Sequence, residues 1–186
     1  MYTAAWLISS LFALTATASP IAQRDSQDTF NIEVCNQCSS TKSFGLYKID
    51  GSFQMSEMSK TVTIPSNGTQ TIQAPYKETG MRLSGNADWG SAGQWKPQAL
   101  FEFGYSEYSG QSGTAYDLSL MDGCDKDIGL AAYPDTDSEE CPSKMCHPGN
   151  CDFGQGWTNP DQIKDGSPAD TVCYKGKVNF KVVFCP

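Results

Sequence analysis

Residues 30–38 read Phe-Asn-Ile-Glu-Val-Cys-Asn-Gln-Cys, and apolar and polar side chains alternate strictly from Phe30 to Val34. Phe30, Ile32 and Val34 lie two residues apart, and side chains at that spacing share one face of a β-strand. The alternation returns in later segments, which are residues 44–46, 100–105, 116–122 and 178–184. Because no amphipathic helical pattern exceeds about two turns, the sequence predicts an all-β sandwich.

A turn signal separates two shorter strand-like segments. Asn67 and Gly68 tolerate the positive φ that a tight turn needs, so residues 61–64 and 69–74 are predicted to pair as a hairpin. The same turn carries an acceptor sequence for N-glycosylation at Asn67, with an unmodified turn as the alternative.

The first 18 residues are typical of a cleavable secretory signal. An apolar run over residues 4–14 is followed by small residues, and we expect cleavage after Ala18. Residues 19–29 are predicted to be a flexible lead and residues 30–186 to be one domain. The run is too short to cross a bilayer, so the chain is expected to be secreted and extracellular without membrane insertion. A cytosolic chain with an apolar start is the alternative, since no Lys or Arg precedes the run.

All eight cysteines lie beyond residue 18, and an even number in an exported chain favours disulfides. A zinc site at Cys141, Cys146, His147 and Cys151 has irregular spacing, and an oxidising compartment disfavours it. His147 is the single histidine, which disfavours a nucleophilic triad. We expect no metal, and the chain carries no glycine motif for a phosphate-containing cofactor.

The net charge is −8, from 13 basic and 21 acidic residues. Nucleic acids and anionic membranes repel such a surface, and the sequence holds no cluster of Lys or Arg to compensate. Neither is expected as a partner. The acidity also serves solubility outside the cell.

Two stretches have the composition of loops. Residues 106–113 are rich in Gly, Ser and Tyr and are predicted to connect two strands. In residues 135–170, which we call the stapled segment, Cys, Pro and Gly outnumber the strand-forming residues. We expect disulfides rather than a hydrophobic core to hold this segment.

Several segments, taken in order along the chain, resemble the thaumatin-like proteins of the pathogenesis-related kind. They are the opening strand with its following cysteine, an Ala-Pro…Arg stretch, a Glu-containing strand, a Tyr-Asp strand and the last strand, at residues 30–38, 72–82, 99–103, 116–123 and 180–186. The resemblance implies a flattened β-sandwich. Residues 84–98 lack the cysteines of the family, and its cysteine-rich second domain is reduced to the stapled segment. The chain therefore resembles a small divergent member with a reduced disulfide-rich loop region.

The resemblance also implies two disulfide pairs, Cys38 with Cys185 and Cys141 with Cys173. The remaining cysteines admit three pairings, of which we favour Cys35 with Cys124 and Cys146 with Cys151.

In thaumatin-like proteins a cleft lined by one arginine and several carboxylates binds, and occasionally cleaves, β-1,3-glucans. The matching residues here are Arg82, Glu102, Asp117 and Asp122, with Asp165 as a poorer match. Glycoside hydrolysis uses one protonated and one ionised carboxyl, and we expect Glu102 as the acid and Asp117 as the base. The alternative is that both carboxyls lie on the solvated face of a half-buried sheet and that Asp122 is a turn residue.

Aromatic side chains near loops offer a second means of sugar binding, because a flat ring stacks on a pyranose. They are Trp89, Trp95, Tyr105, Tyr108, Tyr116 and Trp157. Core packing is the alternative for each.

The resemblance thus implies a secreted, antifungal or defence-related protein whose acidic cleft binds β-1,3-glucan or another cell-wall polysaccharide. One alternative is a non-enzymatic effector, antigen or inhibitor that keeps the scaffold and binds an extracellular protein. The other is a weak endo-β-1,3-glucanase.

Overall fold

The computed structural model describes residues 28–52, 55–85, 99–121 and 128–186. The predicted signal and nearly all of the predicted lead lie outside these ranges. Within them the chain is almost entirely β, with a 3-10 helix at Pro160–Asp165. The strands are β1 (Thr29–Asn36), β2 (Lys42–Ile49), β3 (Met55–Glu57), β4 (Val62–Ile64), β5 (Gly68–Pro75), β6 (Met81–Ser84), β7 (Leu100–Tyr108), β8 (Gln111–Ser119), β9 (Leu130–Pro134), β10 (Lys144–Cys146), β11 (Thr171–Cys173) and β12 (Phe180–Phe184). No helix in the described part of the chain is both long and apolar enough to span a membrane.

The strands form two sheets in a sandwich, as the alternation of apolar residues predicts. One sheet has the order β10-β9-β12-β1-β5, and the other has the order β11-β8-β7-β6-β2-β3 with β4 also paired to β2. The first and last strands, β1 and β12, are parallel neighbours in the middle of the first sheet.

Aromatic side chains fill the space between the sheets. The ring of Phe180 on β12 lies 5.0 Å from that of Phe101 and 4.9 Å from that of Tyr116, which both belong to the opposite sheet. Phe30 and Phe103 meet across the core at 5.4 Å. All five side chains are buried. Since alternate residues point to opposite faces, this inward set fixes which residues of β6, β7 and β8 face outward.

Three disulfides join the pairs Cys38–Cys185, Cys141–Cys173 and Cys146–Cys151, which the sequence analysis favoured. Cys35 has no disulfide partner among the described residues. Its side chain is buried with Ala131 and Val183 on the outer face of the first sheet. The favoured partner, Cys124, lies outside the described residues, so that pairing stays a prediction.

The predicted hairpin over residues 61–74 is wrong, although its turn is present. Asn67 has a φ of 58° and reverses the chain, but β4 then pairs with β2 while β5 pairs with β1. The two strands therefore belong to different sheets. Alternation specifies the inward face of a strand and leaves its pairing partner undetermined.

The prediction of a loop over residues 106–113 is also wrong. Strands β7 and β8 continue through it and pair as far as Tyr108 and Gln111. Ser109 and Gly110 close the hairpin with φ values of 51° and 78°, which is the conformation of a type I′ turn. The polar composition reflects a hairpin end that extends beyond the core.

The stapled segment has little regular structure, as predicted. It contains β10 and the 3-10 helix, and two disulfides anchor it. Asn159 caps the helix by accepting a hydrogen bond from the Asp161 N–H at 2.8 Å, and the buried Gln162 side chain accepts from the Asn159 N–H at 3.0 Å. Polar contacts thus order a stretch that buries few apolar side chains.

Candidate functional site

A charged row crosses the outer face of the larger sheet. In the strand register Arg82 on β6 lies opposite Glu102 on β7, and Glu102 lies opposite Asp117 on β8. These three residues alternate with buried neighbours, so the sequence pattern places them outward. The structure therefore brings together three of the five residues matched to the cleft of the thaumatin-like family.

Arg82 and Glu102 form an ion pair through the guanidinium Nε and the carboxylate Oε1. Both side chains are largely buried, with 18% and 20% of their area exposed. The guanidinium Nη1 also lies 3.9 Å from the Met55 sulfur on β3. The pair is thus built into the sheet surface rather than extended into solvent.

Asp117 is the perturbed carboxyl of the row. Its Oδ1 atom is buried and has no hydrogen-bond partner among the described residues. Burial raises the pKa of Asp117 well above its usual value, and the negative charges of Glu102 and Asp170 and a hydrogen bond with Glu102 add to the rise. A raised pKa favours the protonated form of Asp117, which does not suit the base role that we expected for it. The acid role expected for Glu102 stays a prediction.

Lys144 on β10 lies near Asp117 and Asp170, and their negative charges act on its ammonium group. It is 3% exposed, and its ammonium donates to the carbonyl oxygens of Ala169 at 2.7 Å and Gly154 at 2.9 Å. Burial lowers the pKa of Lys144, and the charges of Asp117 and Asp170 oppose that shift. A buried cation thus anchors the stapled segment beside the charged row.

Sequence reasoning missed both Lys144 and Asp170. Asp170 directly precedes β11, which pairs with β8 at Thr171 and Tyr116, so it lies beside Asp117. Its carboxylate Oδ1 accepts a hydrogen bond from the Trp157 Nε1 at 2.6 Å. The position of Asp170, three residues before Cys173, could have pointed to it as a site residue. Nothing in the sequence marks Lys144 as buried.

A groove of about 250 Å³ lies along the charged row. Its lining includes the whole row and continues over Thr79, Gly80, Gly104, Tyr105 and Ala115. A Cβ atom on Gly104 would lie 2.9 Å from the Thr79 Cα, so glycine is needed where these backbones approach. The groove is slightly smaller than the roughly 300–1,000 Å³ of typical small-molecule sites.

The other two predicted cleft residues do not join this group. Asp165 is exposed at the end of the 3-10 helix and does not line the groove. Asp122 lies outside the described residues. Besides Glu102, the carboxyl that lies near Asp117 is that of Asp170.

Among the candidate aromatic residues, Tyr105 and Tyr116 line the groove. The centre of the Tyr105 ring lies 3.9 Å from the Lys77 ammonium, and the Tyr105 hydroxyl donates to Glu107. Tyr116 is buried in the core, whereas Tyr108 is 70% exposed at the end of the β7–β8 hairpin. Trp157 is half-buried and holds Asp170. Trp89 and Trp95 lie outside the described residues.

The geometry limits what the carboxyls can do. Directly opposed residues on neighbouring antiparallel strands have Cβ atoms about 4.5–5.5 Å apart, and the register places Glu102 and Asp117 in that arrangement. The carboxyls of an inverting glycosidase lie about 6.5–9.5 Å apart to leave room for a water, and directly opposed neighbours do not favour that wider spacing. The described residues also contain no group of three His, Cys, Asp or Glu side chains able to hold a metal ion.

No protein-family model matches the chain, and no curated protein matches it. Membership of the thaumatin-like family is therefore not confirmed. Among solved structures, the chain is similar to the protein elicitor MoHrip2 from Magnaporthe oryzae, with a TM-score of 0.57 and 19% sequence identity. The match covers 84% of this chain and 99% of that one. At this identity the likeness establishes a shared all-β fold.

Proposed function

We propose that the chain is an exported, non-enzymatic protein that acts as an elicitor or effector through an extracellular partner. The observation that carries this proposal is the strand register that sets Glu102 directly opposite Asp117, since side chains that meet across neighbouring strands leave little room for a sugar linkage between their carboxyls. The ion pair with Arg82 further engages Glu102. This arrangement favours a structural or binding role for the row.

Two further observations support the proposal. The fold is shared with a protein elicitor over most of both chains, although a fold alone does not define a function. Three disulfides suit a protein that folds and works in an oxidising compartment.

The proposal is tested by applying the purified, disulfide-intact protein to leaf tissue and recording the oxidative and cell-death responses. We expect a response to the wild type, an equal response to Glu102→Gln, and no response to protein whose disulfides have been reduced and alkylated. If the folded wild type produced neither response over a wide range of doses, the elicitor role would be rejected. A response that Glu102→Gln abolishes, with folding intact by circular dichroism, would show that the charged row takes part in the response, and the reducing-end assay below then separates binding from hydrolysis.

A second candidate function is binding of a cell-wall polysaccharide, which the groove favours. The lining of the groove includes residues with hydrogen-bonding side chains, which are Arg82, Glu102, Thr79 and Tyr105, together with Gly104 and Ala115. We would measure retention on insoluble β-1,3-glucan, with Arg82→Gln as the test variant. Lys181→Gln, on the other sheet, is the control. If the groove binds the glucan, the wild type and Lys181→Gln are retained on it and Arg82→Gln is not.

Weak glucanase activity is tested on the same material. Release of reducing ends by the wild type is compared with release by Glu102→Gln and Asp117→Asn. Rates equal to the background for all three are expected from the non-enzymatic proposal. Release by the wild type that either variant abolishes would instead establish hydrolysis.

A further inference from the structure

Asn67 is the one asparagine of seven in the chain that is followed by the pattern x-Ser/Thr, here Gly68 and Thr69. In the secretory pathway such an amide accepts an oligosaccharide. The amide Nδ2 displaces a polyprenyl pyrophosphate from the anomeric carbon of a lipid-linked oligosaccharide. A C–N bond replaces the C–O bond, and the amide loses one proton.

The structure presents this amide on a well-anchored turn. Asn67 is exposed, and its Nδ2 lies 3.3 Å from the neighbouring Ser66 hydroxyl. The Gly68 N–H donates to the Pro65 carbonyl at 2.9 Å, and the Ser66 hydroxyl donates to the Cys38 carbonyl at 2.7 Å. The turn is thus hydrogen-bonded to Cys38, which forms the disulfide with Cys185, while the Asn67 amide faces solvent. A glycan on this atom displaces no core side chain.

Thr69 supplies the hydroxyl of the acceptor pattern. In the folded chain that hydroxyl lies 3.4 Å from the Cys35 sulfur, and Thr69 pairs with Cys35 in the β1–β5 ladder. Because these contacts are absent before the strands pair, we expect the transfer to reach the emerging chain.

The turn also lies at an edge of the smaller sheet, where another chain could pair with the exposed strand. Strand β5 is the last strand of its sheet and, among the described residues, pairs only with β1. Thr69, Gln70 and Thr71 at its start are exposed. Exposed strand edges are templates for pairing with other chains, and natural proteins cover or interrupt them.

We propose that Asn67 carries an N-linked glycan that shields the open edge of β5. This inference rests on the export assumed in the proposed function. It adds a covalent modification site on the side of the molecule formed by the smaller sheet.

The test is the intact mass of the full chain secreted by a eukaryotic host, before and after treatment with a peptide N-glycosidase. We expect an added mass that the enzyme removes. Asn67→Gln and Thr69→Ala should lack it, whereas Thr69→Ser keeps the acceptor pattern and should retain it. Asn150→Gln, an exposed asparagine outside the pattern, is the control and should also retain it. An unmodified mass in the medium overturns the site.

A second expression arm places residues 19–186 behind a signal of known function in the same host. If this protein is exported with the glycan while the full chain stays in the cell, the site holds and the export step of the proposed function fails. If it is exported without the glycan, the site is wrong.

The shielding role has its own measurement. Sedimentation velocity over a range of concentrations compares glycosylated wild type with Asn67→Gln. We expect more self-association of the variant, and equal behaviour would overturn the shielding.

Discussion

The sandwich and the stapled segment are held together by different physics. The sandwich buries facing aromatic rings such as Phe101 and Phe180, and apolar burial of this kind stabilises it in proportion to area. The stapled segment relies on two disulfides and on a buried lysine that donates to two of its carbonyl groups. The lesson is that the region flanking the charged row is ordered by a few specific bonds, each of which a single substitution removes.

The largest effects are expected from the disulfides, and they should rank by loop length. The bridges close separations of 147, 32 and 5 residues. The chain-entropy model then assigns about 5, about 4 and about 2 kcal/mol to Cys38–Cys185, Cys141–Cys173 and Cys146–Cys151. Urea unfolding of the three paired Cys→Ser variants measures the order. Equal losses would show that chain entropy does not govern the ranking.

Lys144→Met should come next and should act on the stapled segment first. The substitution leaves the carbonyls of Gly154 and Ala169 without their donor, at a cost of about 1–3 kcal/mol. Hydrogen exchange should therefore accelerate at stapled-segment amides while those of β1 and β12 stay protected. Uniform acceleration through both regions would mean that they unfold as one unit.

Asp117→Asn should change how stability depends on pH. Because the pKa of Asp117 is raised in the folded state, its contribution to stability is full below about pH 4 and is lost as pH rises through the folded pKa. Thermal unfolding from pH 4 to pH 8 should show this fall in the wild type and a flatter profile in the variant. The exposed Asp165→Asn serves as the control. A variant as steep as the wild type would place the titration elsewhere.

The smallest effect is expected at the exposed Lys164–Asp161 pair. Their side chains are 72% and 69% exposed, and such pairs contribute about 0.2–1 kcal/mol. Lys164→Met should therefore lower stability far less than Lys144→Met does, as measured by urea unfolding. Comparable losses would contradict the importance given to the buried lysine.

The sequence was sufficient for the strands and for much of the charged row. Alternation located β1, β7, β8 and β12 because each buries one face, and the resemblance to thaumatin-like proteins supplied Arg82, Glu102 and Asp117. It was insufficient for strand partners, as β4 and β5 show, since turn residues permit a reversal without specifying which sheet each strand joins. It also missed Lys144 and Asp170, because burial of a charge depends on contacts between distant segments.

The neighbouring positions of β1 and β12 determine when this protein can complete its fold. The centre of the smaller sheet requires Ile32 to pair with Phe180 and Asn36 with Phe184, so it is not complete until the chain has been synthesised through Phe184. Contacts between residues so far apart in sequence form slowly. During that interval β1 can already pair with β5, but the edge of β1 that later receives β12 is open to aggregation.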